Sequence, residues 1–414
     1  MRRRETCFRP SVRLTMKRSQ FVLTAGAAST LPFVAPKPAS AAAEFFQPIG
    51  RALVLSGGGA RGSYEAGIIG ALAAADGVKD GQALREYGAV CGTSIGALNG
   101  WFVATGQYSK LKELWYGISG QHLIRVKPKY SAIRDPESGL FNRLASVVGL
   151  YGLTDDESGV LQSEPVLDWI RRNIDPQTPL VVPFVFAVTN LTQQRPEYFY
   201  MRPGGLGQEL PEHLTRALQL SLGPHTVVRE ATPDLVHRAI FASAALPVVF
   251  DPVSLPAGDG TNNSYCDGGV ASNSPVGVAH SIASAADVIL LDPQFEPEPH
   301  YADALEVAYA VFGTMQRKIL EVEMRTTYFQ SLGKRALERI PRASLSSAVG
   351  GDDILDRFMR GVPATALRYI RPKAVLDVSV IGFDDEVGIG KSYRTGWEDA
   401  DRGFSPYDWQ TFEL

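Results

Sequence analysis

The sequence predicts an α/β protein: a three-layer α/β/α sandwich around a largely parallel central sheet. Short apolar runs rich in β-branched residues alternate with stretches of helical period, the pattern of βα units rather than of hairpins. Glycine-rich turns stand at two strand-to-helix junctions, Ser56–Gly62 and Gly92–Gly96. The 414 residues are 45% hydrophobic and 21% charged, ample material for one large core or two.

The N-terminus stands apart. Seven basic residues between Arg2 and Arg18 precede the apolar run Phe21–Ala28, and Ala39-Ser40-Ala41 follows in the A-x-A pattern. Charged, then apolar, then small is the order of an export leader, so residues 1–41 are set aside from the fold. The run from Arg18 to Val22 resembles a twin-arginine signal with Ser19 in place of the second arginine. Export to the periplasm or beyond is therefore the expectation, and a basic disordered tail the alternative. Without the leader the formal charge moves from −3 to about −10. An acidic body argues against nucleic acid as a partner and against polybasic docking on anionic lipid. No uninterrupted apolar stretch is long enough to span a bilayer.

From there the elements follow in order. Arg51–Leu55 reads as a buried strand ending at the first glycine turn. Tyr64–Ala75 reads as a helix stopped by Gly77. Ala89–Cys91 is a second strand, and a helix leaves the second turn through Ala97–Trp101. Residues 120–165 lack a clean period and form an irregular insert where a substrate-facing flap would fit. Leu180–Val188 is a central strand and Glu197–Tyr200 its neighbour. Asp234–Ala245 is helical, and Leu246–Phe250 turns back toward the sheet. Pro275–Ala283 is a helix and Asp287–Leu291 a strand. Leu305, Ala308, Phe312, Met315, Ile319 and Val322 recur every three or four residues, predicting a long helix with that stripe as its core face. Val375–Ile381 completes the strands and Tyr393–Asp401 is a late helix. The expected division is a leader (1–41), a main domain (42–294), and a helical extension (295–414) that carries the last strand and helix of the same domain.

Three motifs carry chemistry. Gly92-Thr93-Ser94-Ile95-Gly96 places a serine between glycines at a strand-to-helix turn, which pushes the hydroxyl out where a substrate can reach it. The run Gly57-Gly58-Gly59-Ala60-Arg61-Gly62 offers bare backbone amides for a developing oxyanion, those of Gly58 and Gly59 foremost. Each such donor is typically worth about 3 to 4 kcal/mol at a transition state. Arg61 either adds positive potential or braces the loop. Asp267-Gly268-Gly269 presents a carboxylate at a strand end, although Asp-Gly alone also suits a plain hairpin turn.

Gly57-x-Gly59-x-x-Gly62 also matches the dinucleotide-binding fingerprint. That reading needs an acidic residue ending the next strand, and Val78–Glu86 is polar and not strand-like. A serine–histidine–acid order would need a histidine beyond Asp267. Only His280, inside a predicted helix, and His300, in a solvated loop, qualify. A carboxylate bonded directly to the serine can take its proton instead. Cys91 and Cys266 flank the serine and the aspartate, as buried thiols or, if the motifs converge, as a disulfide pair.

The glycine run, the Gly92–Gly96 motif and Asp267-Gly268-Gly269 resemble, in order and spacing, those of the patatin-like phospholipases. Tyr64-Glu65-Ala66-Gly67, Ala242–Phe250 and Asn273-Ser274-Pro275-Val276 extend the similarity over roughly residues 50–290, with a weaker echo at Tyr393–Gly396. The resemblance implies a Ser94–Asp267 dyad without histidine and an oxyanion hole within Gly57–Gly62. Gly92, Gly96, Gly268 and Gly269 would support the two reactive groups. It further implies hydrolysis of lipid or lysolipid acyl esters with no cofactor and no metal, and transient contact with a membrane surface is compatible with it. A catalytically silent lipid-binding protein of the same fold is the alternative. Headgroup preference, chain length and oligomeric state are not written in these motifs.

Overall fold

The computed structural model describes residues 48–128, 159–204, 209–292, 304–340 and 363–412. The expected leader and most of the expected flap lie outside them. A ten-stranded sheet runs in the order β10-β9-β8-β1-β2-β3-β4-β5. Its centre is parallel: β1 (Ile49–Leu55), β2 (Ala89–Thr93), β3 (Phe184–Asn190), β8 (Ala283–Ile289) and β9 (Ala366–Ile370). The rest are β4 (Arg195–Met201), β5 (Val227–Glu230), β6 (Val253–Pro256), β7 (Asn262–Asp267) and β10 (Ser405–Pro406). β4 is antiparallel to β3, and the β6–β7 hairpin joins the sheet through β3.

Helices cover both faces, as expected of the sandwich. Alternation along β1 makes the division: Leu53 and Leu55 enter one core, Ala52 and Val54 the other. The first core is closed by α1 (Gly62–Asp76), α2 (Ile95–Ala104), α3 (Tyr108–Gly117), α4 (Glu164–Asn173), α6 (Val236–Ala244) and α9 (Glu386–Ala400). The second is closed by α5 (Glu209–Leu222), α7 (Val276–Ile282) and α8 (Ala304–Glu338). Every residue of α2 is buried, which its apolar circumference requires. α1 and α9 cross closely at Gly67 and Gly396, where a methyl group would run into the backbone of the facing helix. The described residues from 48 to 412 fall in one compact unit.

Two expectations need correction. Val375–Ile381 is not a strand; it is a loop that buries Leu376, Val378 and Ile381 in the first core. The strand is β9, whose apolar pattern is broken by Arg368 because that guanidinium reaches inward to Asp287. The long helix exists, but its core face is not the expected stripe. Met315 and Val322 are each 52% exposed, whereas Leu320, Met324, Thr327 and Ser331 are buried. A stripe read by hydrophobicity misses a face that packs hydroxyl, amide and carboxylate groups against polar backbone.

Candidate active site

β3 acts as the ruler of the site. On one edge it pairs with β2 as far as Thr93 opposite Ala187. There the chain turns away at Ser94, and β7 takes over the vacated edge from the opposite direction, Asp267 facing Val188. β4 occupies the other edge along the whole of β3. Ser94 and Asp267 therefore arrive head to head at neighbouring register positions although 173 residues separate them, and their Oγ and Oδ2 atoms lie 2.6 Å apart.

The turn at Ser94 is strained, with φ 55° and ψ −123° in a residue that carries a Cβ. Close packing holds it there. A methyl at Gly92 would strike the Gly96 carbonyl, and one at Gly96 would strike that of Leu55. The Ser94 amide donates to Ser243 Oγ at 2.9 Å, and Ser243 donates on to the Ala187 carbonyl at 2.6 Å. Ser94 is 4% exposed and Asp267 is fully buried. The second oxygen of Asp267 accepts the Gly269 amide at 2.6 Å, and Gly268 sits hard against the Ala187 carbonyl. Burial pushes the Asp267 carboxyl up to about 7, against the lowering pull of the Ser94 hydroxyl and the Gly269 amide. The carboxylate is thus an unusually strong proton acceptor placed on a hydroxyl.

The glycine run lies beside this pair. The Gly57 amide donates to the Asn273 carbonyl, that of Ala60 to Val380 and that of Arg61 to Gly58. Gly62 closes the short turn onto Gly59 and Ala60. The amides of Gly58 and Gly59 have no such backbone bond among the described residues. Arg61 braces: its guanidinium meets Asp292 at 2.6 Å, just beyond the end of β8. Beneath the run, Glu65 accepts the Ser56 amide at 2.7 Å and Asn99 at 3.0 Å, while Asn99 also donates to the Gly62 carbonyl. Both ends of the loop are thereby tied to one buried group. Burial pushes Glu65 up to about 8.

A cavity of about 700 Å³, the open solvent at its mouth included, runs from Ser94 and Gly59 into the first core. Leu98, Ile118, Leu123, Val166, Ile170 and Phe250 are among its walls, and Val380 and Ile381 of the misread loop close one side. Apart from Ser94 and Trp169, the lining residues carry hydrocarbon side chains or none. An apolar cavity that begins at the Ser94 turn has the lining a hydrocarbon chain requires.

Among the described residues no histidine hydrogen-bonds to Ser94 or Asp267. His280 is buried between Thr365 and Gln330, and desolvation pushes it down to about 4. His300 lies outside the described residues. Cys91 and Cys266 are free buried thiols, so the disulfide reading fails. Burial raises both, Cys266 to about 12. Sequence reasoning did not single out Ser243, Asn99, Gln316 or Glu323. Their one signal is a polar residue in an apolar helical setting, which many surface residues share.

The sequence model of the patatin-like phospholipases matches residues 53–280, more than half of the chain and all three motifs. The chain belongs to the patatin-like phospholipase family. As a family member it carries the general character of a lipid acyl hydrolase. Among solved structures it is similar to VipD from Legionella pneumophila, at 14% identity, covering 88% of this chain and 69% of that one with a TM-score of 0.34. No curated protein matches it.

Proposed function

We propose that this protein is a serine acyl hydrolase of lipid or lysolipid esters, with Ser94 as nucleophile and Asp267 as general base. The observation that carries the reading is the 2.6 Å contact between the Ser94 hydroxyl and a buried carboxylate pushed up to about 7. In the first half-reaction Ser94 Oγ attacks the ester carbonyl as its proton passes to Asp267 Oδ2. The carbonyl oxygen gains charge facing the amides of Gly58 and Gly59, which backbone bonding leaves available. Collapse expels the alcohol, which takes the proton from Asp267, and the acyl group stays on Ser94 with its chain in the apolar cavity. Water then attacks the acyl-enzyme as its proton passes to Asp267; the bond to Ser94 Oγ breaks, Oγ takes that proton back from Asp267, and the fatty acid leaves. The charged, apolar and small-residue order of residues 1–41 supports action outside the cytoplasm.

A fluorophosphonate probe tests the reading. The full chain should label once, at Ser94, and hydrolyse p-nitrophenyl esters, with Ser94→Ala losing both. A chain that binds lipid yet neither labels nor hydrolyses would be the silent lipid-binding protein instead.

A further inference from the structure

The segment matched to the family ends at residue 280, and α8 comes after it. The inner face of α8 nevertheless holds both halves of the site. Gln316, one polar residue of that face, donates from Nε2 to Asn273 Oδ1 at 3.1 Å and to the Gly269 carbonyl at 3.3 Å. Asn273 is doubly bonded to Gly57: its carbonyl accepts the Gly57 amide at 2.8 Å, and its Nδ2 donates to the Gly57 carbonyl at 3.3 Å. Gly269 is the residue whose amide fixes Asp267. A single side-chain amide on α8 thus touches the mounts of the carboxylate and of the glycine run.

Two turns further along, the Glu323 carboxylate accepts the Ser272 hydroxyl at 2.7 Å and the amides of Val276 and Gly277 at 3.1 and 3.5 Å. The Ser272 carbonyl in turn accepts the hydroxyl of Thr93, the residue before Ser94, at 2.8 Å. The carboxyl end of Glu323 points inward, where burial pushes it up to about 7 and these donors pull it back only in part. A carboxyl placed there at such a cost calls for more than covering apolar surface, since a leucine would cover it better.

We propose that Gln316 and Glu323 are positioning residues for the Ser94–Asp267 pair, so that α8, outside the family-matched segment, is part of this protein's catalytic apparatus. The proposal rests on the reading of that pair as a hydrolase dyad. Reacting groups need near-contact geometry, and a displacement of the order of 1 Å can cost about 100-fold in rate.

The test compares the full-length chain with Gln316→Leu, which keeps size and removes the donors, and with Glu323→Gln. Val322→Ala, on the exposed side of the same helix, serves as the control. Each is measured for kcat and KM on a short p-nitrophenyl ester, for the rate of fluorophosphonate labelling, and for melting temperature. Gln316→Leu and Glu323→Gln should lower kcat and the labelling rate by about tenfold. KM should stay within about twofold, melting within a few degrees, and Val322→Ala should match wild type. Wild-type kcat and labelling in Gln316→Leu would overturn the proposal, as would losses in step with falling melting temperature. Should Glu323→Gln fail to fold, Gln316→Leu decides alone, because its side chain is only partly buried. A wild-type chain that neither labels nor hydrolyses would overturn the dyad reading itself, and the positioning role with it.

Discussion

Asp267 and Asp287 are both sealed from solvent at 0% exposure, and the protein holds them in opposite ways. Asp287, within β8, receives Arg51 at 2.8 Å, Arg368 through two bonds at 2.6 and 2.7 Å, and the Tyr87 hydroxyl at 2.8 Å. Two guanidiniums neutralise it and stitch β1 to β9 across β8. Among the described residues Asp267 receives one hydroxyl and one backbone amide and no cation. Burial costs a carboxylate its hydration in both places, and only at Asp287 is that loss repaid by opposite charge. What remains at Asp267 is proton affinity.

That contrast can be broken most directly at the carboxylates. Ser94→Ala or Asp267→Asn should reduce ester turnover by about 10⁴-fold or more. Asp267→Asn should at the same time raise the melting temperature at pH 8. The sign follows from linkage. The folded carboxyl titrates at about 7 against an ordinary 3.8, so between those values the folded state holds a proton that the unfolded state has released. Stability from this group is present at low pH, falls as pH rises toward about 7, and is level above it. An uncharged asparagine removes that loss, so a lower melting temperature for Asp267→Asn at pH 8 would refute the account.

Asp287→Asn should do the reverse. Activity per folded molecule should stay within about threefold, while stability in urea unfolding drops by about 3 kcal/mol, the scale of breaking a buried pair. A collapse of kcat with unchanged stability would erase the distinction between the two aspartates. The pH profile sharpens it further: kcat/KM should rise about tenfold per unit below pH 7 and level off above, as Asp267 loses its proton. Full activity at pH 5 would show that the group is not the base. The smallest effect is expected at His280, the first histidine after Asp267 in the chain. His280→Gln should hold activity within about threefold, since among the described residues its ring bonds Thr365 and Gln330 and neither Ser94 nor Asp267.

Most of the parallel sheet was legible because βα units leave local marks: an apolar run, a glycine turn, a helical period. β1, β2, β3, β4 and β8 all stand at or near their expected places. β9 escaped because Arg368 interrupts it, and its arginine makes sense only beside Asp287. The loop at Val375–Ile381 was misread because its β-branched residues serve packing rather than pairing. α8 was foreseen as a helix, yet its inward face was assigned wrongly, since Gln316 and Glu323 look like surface residues until the loops they hold are brought beneath them. Ser94 and Asp267, which the fold brings into contact, stand out in the sequence by their glycine settings. Ser243, Asn99 and Asn273 act through backbone groups of distant segments, which leaves no trace in spacing.

By itself the chain determined which groups are available for chemistry, because a tight turn, a bare amide and a hydroxyl set on that turn are consequences of a few adjacent residues. Tertiary structure decided what those groups are worth. The register of β2 and β7 on β3 brings a hydroxyl and a carboxylate within 2.6 Å, and the exclusion of water and cations around Asp267 raises its proton affinity. Both are collective effects of segments far apart in sequence, and electrostatic free energy depends on everything that surrounds a charge rather than on its neighbours along the chain.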